Sequence, residues 1–368
     1  MVDERWAFVA LALVPGIGAG TRRYHDLLNL GPPASVLRES GRALAAGAGG
    51  DVAARLRGFD AEGAAMRQAE AAVRLGATLV VLGDPEYPAA LAGIPEAPPF
   101  LLVRGRLGRE DALAVAVVGS RQATGYGLRM AARLGTDLGA RGVTVVSGLA
   151  RGVDTAAHRG ALDGGGRTVA VFGCGLDVVY PAENRPLVER VVAAGAAVSQ
   201  FPMGTRPMPG NFPMRNRVIA GLTLGTVVVE AAERSGALIT ARFAGELGRE
   251  VYAVPGNVSS AVSAGTNRLI QDGAKLVGGW EDVVAEWPPT WREALRPGPG
   301  PDLAAGVPPG GADTEERQLL ALLGDEPVPI DAVIERSGAS SGQVAAGLVR
   351  LELQGLVRQL PGQRYARR

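Results

Sequence analysis

The feature that most limits what this chain can fold into is a row of short, continuously apolar runs in its middle. They fall at residues 113–118, 143–146, 168–172, 197–201, 226–229, 250–254 and 275–277, with connections of roughly 20 to 25 residues between them. A strand with one wet face alternates polar and apolar residues. These runs do not alternate, so both of their faces should be buried. The intervening segments are long enough to hold crossover helices. The pattern predicts a parallel sheet covered by helices on both faces, with ligands taken at the C-terminal ends of its strands. Two further runs, 77–82 and 101–103, add strand candidates ahead of this set.

The flanks read differently. Residues 1–75 are helical in pattern: an apolar stretch at 6–14, then Pro15-Gly16-Ile17-Gly18-Ala19-Gly20-Thr21, then an amphipathic stretch at 22–30. Helix, glycine turn, helix is an αα-hairpin. The turn either offers backbone N–H groups to a phosphate or merely connects; it is no dinucleotide fingerprint, because that motif needs a preceding strand. Residues 288–312 hold seven prolines, which marks a semi-rigid linker. Beyond it, helical stretches at 314–323, 330–337 and 340–354 precede a hairpin pattern at 356–360 and 363–366, the outline of a winged helix. Ser340 is its candidate N-cap. Seven basic and seven acidic residues between 314 and 368 do not choose between a DNA and a protein partner. The expected organisation is a helical domain (1–75), a Rossmann-like domain (76–287), a linker (288–312) and a winged helix (313–368).

A net charge of +1 gives no bulk signal for nucleic acid, so any such site must come from local clustering. Of 38 basic residues only Lys275 is lysine; arginine is the better bidentate phosphate ligand, although a biased genomic composition gives the same excess. Cys174 stands alone with His25 and His158, too few for a disulfide framework or a zinc site. A reducing cytoplasm fits. The first residues do not read as a signal peptide, and no apolar run approaches the length of a membrane span. No metal and no cofactor is expected.

The strand ends carry the chemistry. Gly119-Ser120-Arg121 ends the first run of the main set, and a helix N-terminus following it favours negative charge. Ser147-Gly148-Leu149-Ala150-Arg151-Gly152-Val153-Asp154 ends the second, with His158 one turn later. Ser147, Asp154 and His158 superficially suggest a hydrolytic triad, but no nucleophile elbow surrounds the serine. Phe212 stands beside Arg215, Asn216 and Arg217, an aromatic among arginines of the kind that stacks a base and holds its phosphates. Arg234-Ser235-Gly236 follows the fifth run, and Gly265 and Asn267 the sixth. Such loops at successive strand ends would line one extended groove.

The ordered strings resemble the DNA-processing protein A family (DprA, also called Smf). They are Gly119-Ser120-Arg121, the 147–154 string with His158, Gly173-x-Gly175-x-Asp177 with Tyr180-Pro181 and Asn184, the string from Asn211-Phe212-Pro213 to Leu222, Glu230-Ala231 with Arg234-Ser235-Gly236, and Val254-Pro255-Gly256 through Asn267. The resemblance implies an extended Rossmann-like sheet, an N-terminal helix-hairpin-helix or SAM-like domain and a C-terminal winged helix. It implies a cytoplasmic, non-catalytic protein of natural transformation that protects incoming single-stranded DNA, pairs as a homodimer through the Rossmann-like domain and loads RecA; double-stranded DNA is a second candidate ligand. Carried over, Arg121, Phe212, Arg215, Asn216, Arg217 and the turns Ser147-Gly148 and Ser235-Gly236 are the implied DNA contacts. With the loop reading, the expected set also takes in Gly119, Ser120, Arg151, Arg234, Gly265 and Asn267. Several members carry a lysine where this chain has Pro209, and an acidic residue where it has Gln200.

Two rival readings remain. Phosphoribohydrolases share the architecture but carry Pro-Gly-Gly-x-Gly-Thr-x-x-Glu, whereas this chain reads Glu230-Ala-Ala-Glu-Arg-Ser-Gly. A protein-interaction scaffold with docking modules at both ends is the other. No P-loop is present in the sequence.

Overall fold

The computed structural model describes residues 3–38, 50–298, 314–324, 326–353 and 356–367. Residues up to Gly298 form one compact unit and those from Pro299 a second.

The first unit is built on nine strands: β1 (Ala77–Val81), β2 (Phe100–Gly105), β3 (Ala114–Gly119), β4 (Thr144–Ser147), β5 (Thr168–Val171), β6 (Ala196–Ser199), β7 (Gly225–Val229), β8 (Glu250–Ala253) and β9 (Lys275–Leu276). Their order in the sheet is β1-β2-β6-β5-β4-β3-β7-β8-β9. The seven from β6 to β9 run parallel, as the apolar runs predict. β1 and β2 depart from this: β2 pairs antiparallel with both β1 and β6. The segment joining them contains Pro85, Pro88, Pro95, Pro98 and Pro99 and forms only the short helix Ala89–Ala92. A chain so broken cannot make the long crossover helix that a parallel neighbour requires.

Alternate residues of β3 enter opposite cores. Val115 and Val117 pack with Leu134, Leu138 and Ala157 from the helices Gly125–Ala140 and Val153–Asp163. Ala114, Ala116 and Val118 pack with Val218, Ile219 and Ala241 from Asn211–Gly221 and Gly236–Glu246. The N-terminal helices, expected as a domain of their own, share a core with the sheet: Val9, Leu11, Tyr24 and Leu27 cluster with Phe100, Leu102, Phe172 and Phe201. The glycine turn of the αα-hairpin connects Glu4–Leu13 to Arg22–Leu28, with Thr21 capping the second helix. Of the expected linker, Pro289–Glu293 is a short helix of the first unit, while 299–312 lie outside the described residues. Among the described residues no helix is long and apolar enough to cross a membrane.

The second unit is a winged helix. Helices Thr314–Leu322, Ile330–Ser337 and Ser341–Leu353 pack through Leu319, Val333, Val344, Leu348 and Leu351 onto a three-stranded sheet. Ser340 caps the third helix in a reciprocal box with Gln343, which donates its N–H to the serine hydroxyl (3.4 Å) and accepts the serine N–H (3.1 Å).

Two glycine-lined helices fix the layer beneath the functional face. Gly135 of Gly125–Ala140 and Gly160 of Val153–Asp163 bring the two backbones together. A Cβ at Gly160 would sit 2.1 Å from the Ala132 carbonyl oxygen, and one at Gly135 2.4 Å from that of Ala157. His158 lies fully buried on the second helix. Its Nδ1 is 2.7 Å from the Thr168 hydroxyl, which itself donates to the Val145 carbonyl, so Nδ1 carries the proton and Nε2 is left without a partner. Burial, aided by the Arg215 charge, pushes the His158 pKa from 6.5 down to about 3.

Gly160→Ala should therefore cost about 1–3 kcal/mol of stability by overpacking. Gly245→Ala, at a helical position where a new Cβ meets nothing within 4 Å, should gain about 0.5 kcal/mol. Urea denaturation midpoints of the two variants test this contrast. The buried imidazole refuses a proton that the unfolded chain accepts, so stability falls as pH drops below 6.5 and the loss levels off near 3. Its slope approaches about 1.4 kcal/mol per pH unit. In His158→Gln this component should vanish, so the free-energy difference between wild type and variant should be flat above pH 7 and shrink in acid.

Candidate nucleic-acid interface

The C-terminal ends of β3, β4 and β7 open onto a cleft of about 820 Å³, where a parallel sheet is expected to take its ligand. Its centre is Phe212. The helix Asn211–Gly221 begins early enough to include this residue, so the ring sits on the first turn rather than ahead of it. The ring is half-buried. A Cβ at Gly173 would come within 2.9 Å of its edge, so the absence of a side chain there makes its seat. Tyr180 leans on it at 6.0 Å between centroids and 45° between planes. The Arg121 guanidinium lies 5.2 Å from the ring centroid and that of Arg215 5.7 Å, both within cation–π range.

Arg215 is the buried member of this group, 4% exposed. Its Nη1 donates to the Val171 carbonyl at 2.9 Å, and its Nε has no partner. The guanidinium crosses directly over Gly148, where a Cβ would lie 1.7 Å from Nη1; a side chain there would displace the guanidinium. Asp154 supplies the opposing charge from beneath. Its carboxylate accepts the N–H groups of Gly148 (3.1 Å) and Ala150 (3.3 Å) and so shapes the loop after β4. Burial pushes the Asp154 pKa up and the Arg215 pKa down, and the attraction between the two charges opposes both shifts.

Two other arginines of the cleft lining are exposed. Arg121 and Arg234 make no hydrogen bond or ion pair among the described residues. Arg151, in a small annex beside Tyr180 and Phe212, is already matched by Glu183 in a two-point pair at 2.6 and 2.7 Å.

Two of the helix N-termini near the cleft differ in what they offer an anion. At Gly125–Ala140 the place for an anion is filled from within. Glu230, buried and with φ of 54°, accepts the Thr124 N–H at 2.8 Å and also the Thr124 hydroxyl. The expectation of an anion site on this helix is corrected accordingly, since the chain's own carboxylate occupies it. At Gly236–Glu246 the first turn lies on the cleft wall through Ser235, Gly236 and Ala237, and a Cβ at Gly236 would meet nothing within 4 Å. Asn216 ties this turn in place, its Nδ2 donating to the Gly236 carbonyl at 3.3 Å.

The cleft thus gathers Gly119, Ser120, Arg121, Phe212, Arg215, Asn216, Arg234, Ser235 and Gly236. Gly148 and Arg151 line the annex. The other four expected residues lie elsewhere. Ser147 is fully buried and donates to the Val117 carbonyl at 2.7 Å. Arg217 turns to the far side of its helix, donating to the Pro95 carbonyl at 2.7 Å beside the Phe243 ring. Gly265 lies under the loop after β7, its N–H on the Ala231 carbonyl. Asn267 clamps Gly256 from both sides at 3.1 and 3.0 Å. The sequence reading did not place Tyr180 at the site, although its tyrosine–proline string was already singled out. Asn184 holds the base of the cleft by donating to the Leu149 carbonyl and the Thr155 hydroxyl, both at 2.8 Å.

Ser147, Asp154 and His158 each bond to other groups, so no triad forms. The Cys174 thiol, its pKa pushed up to about 11 by burial, stays protonated at neutral pH. Among the described residues no group of three or more His, Cys, Asp or Glu side chains could hold a metal ion.

Comparison with known proteins agrees with this architecture. Residues 78–288 match the family model of DNA recombination-mediator protein A, and residues 304–363 that of the DprA winged helix domain. Protein Smf of Escherichia coli is 40% identical over 284 residues, 75% of this chain and 74% of that protein. The crystal structure of DNA processing protein A from Streptococcus pneumoniae superposes with a TM-score of 0.66 at 34% identity, covering 78% of this chain and 99% of that one. DNA processing protein A from Helicobacter pylori, whose structure was determined for its single-stranded DNA binding mode, shares the fold with a TM-score of 0.52 at 24% identity over 60% of this chain and 97% of that one. By sequence, by fold and by both of its matched domains, this chain belongs to the DNA recombination-mediator protein A family, the DprA/Smf proteins.

Proposed function

We propose that this chain binds single-stranded DNA along the cleft and acts there as a mediator of recombination during natural transformation, without chemistry of its own. The observation that carries the reading is the pair of unmatched arginines, Arg121 and Arg234, facing the cleft around a ring that Arg215 and Tyr180 hold in place. Unpaired guanidinium groups take phosphates, and an aromatic face takes an unstacked base of any sequence. A duplex keeps its bases stacked, so this arrangement favours the single strand. The binding mode reported for the Helicobacter pylori relative points the same way. The separate bonding of Ser147, Asp154 and His158 supports a binding role over hydrolysis. Pairing of two copies through the Rossmann-like domain, delivery of the strand to RecA and a cytoplasmic setting complete the proposal and rest on family membership.

Titration of the full chain with oligo-dT and with a duplex of equal length, across a range of salt, tests the reading. Oligo-dT should bind more tightly; release of free base from AMP at enzyme-like rates would instead favour the phosphoribohydrolase reading. Arg121→Ala and Arg234→Ala should each lower the log–log salt slope by about 0.7, the share of one phosphate contact on a single strand. Arg217→Ala, whose side chain lies outside the cleft, should leave that slope unchanged; a drop equal to that of Arg121→Ala would place the strand on the wrong face. Phe212→Ala should weaken binding by about 1–3 kcal/mol with little change in slope, because stacking releases no counterions.

A further inference from the structure

A second cavity, of about 720 Å³, lies at the opposite end of the sheet, where the parallel strands begin. Its floor is aliphatic: Ala114 at the start of β3, Val146, Val169 and Leu222. Leu107 and Trp291 stand among its walls, the indole 38% exposed. The size and the apolar lining suit a small molecule with a hydrocarbon body.

The charges around it are unbalanced. Arg106 is paired with Glu110, and Asp111 is consumed by Arg167 and Thr144. Arg109 is exposed and makes no hydrogen bond or ion pair among the described residues. Arg249, immediately before β8, is half-buried. One Nη donates to the Ala90 carbonyl at 3.1 Å, and its Nε is shut away from solvent with no partner. Glu86, exposed, is the remaining acidic side chain of the lining. The half-buried guanidinium of Arg249 sets a positive charge on the wall of an apolar cavity, where an anionic oxygen is its natural partner.

We propose that this cavity is a binding site for an apolar monocarboxylate of the fatty-acid type, its chain on the aliphatic floor and its carboxylate on Arg249, with Arg109 adding charge nearby. The site shares no residue with the nucleic-acid cleft, so the proposal stands or falls independently of the function proposed above.

Calorimetric titration of the full chain with dodecanoate below its micelle concentration tests it. Saturable binding of one equivalent is expected, accompanied by a change in tryptophan fluorescence that Trp291→Phe abolishes. Arg249→Met, which keeps the apolar stem and removes the charge, should weaken binding roughly tenfold or more. Leu107→Trp, which grows from the wall into the cavity, should weaken it as well, and thermal unfolding midpoints close to wild type would show both variants folded. Dodecyltrimethylammonium, of the same chain length and opposite charge, should not compete. Absence of saturable binding to the wild-type chain, equal binding of the two surfactants, or full dodecanoate affinity in Arg249→Met would each overturn the proposal.

Discussion

A guanidinium taken out of water must be held by partners, and Arg215 is the residue on which this cleft depends. Its carbonyl partner belongs to β5, its counter-charge to the helix after β4, and its stem to the helix that carries Phe212. Three elements are thereby locked around one charge. Arginine does not shed its proton in a protein, so the charge stays even though burial works against it. Gly148 is fixed by the same need, since the guanidinium occupies the space in which any side chain would stand. The ring of Phe212 is thus presented at a set height and tilt before any ligand arrives, and such pre-ordering lowers the entropy lost on binding.

Around this centre, much of the charge near the cleft is spent inside the protein. Glu230 occupies one helix N-terminus, Glu183 holds Arg151, and Asp154 binds the loop after β4. Among the described residues Arg121 and Arg234 are left unmatched at the cleft, so a nearly neutral chain presents a local positive field. Net charge gives no hint of this, because it counts matched and unmatched groups alike.

The parallel strands were legible because strands buried on both faces must be apolar throughout, and the winged helix because its helical periods and hairpin are local. The antiparallel entry of β2 was written in the prolines between β1 and β2, but it becomes readable only once a crossover helix is ruled out. The site was legible as a set of loops and only partly as residues. Ser147 and Ser235 both precede a glycine at the C-terminal side of the sheet, yet one hydroxyl is bonded inside the sheet and the other caps a helix on the cleft wall. Arg215 and Arg217 are two positions apart on one helix, and residues so spaced do not share a face. The sequence offers both arginines equally, and packing decides which one meets the cleft. Glu230 looked like an ordinary acidic residue at a strand end; its part in closing a helix N-terminus follows from a contact with Thr124 across more than a hundred positions of chain.

The sheet order also has a consequence in time. β2 finds its second neighbour only in β6, where Leu102 faces Ser199, and β3 pairs with β7, where Val115 faces Gly225. On a ribosome adding roughly 5 to 20 residues per second, each early strand waits for seconds with a bare edge before its partner emerges. The N-terminal helices, whose shared core includes Phe172 and Phe201, wait with them. During synthesis the first half of this protein is therefore a nascent chain with apolar surface still to cover, and its productive collapse is gated by translation of the second half.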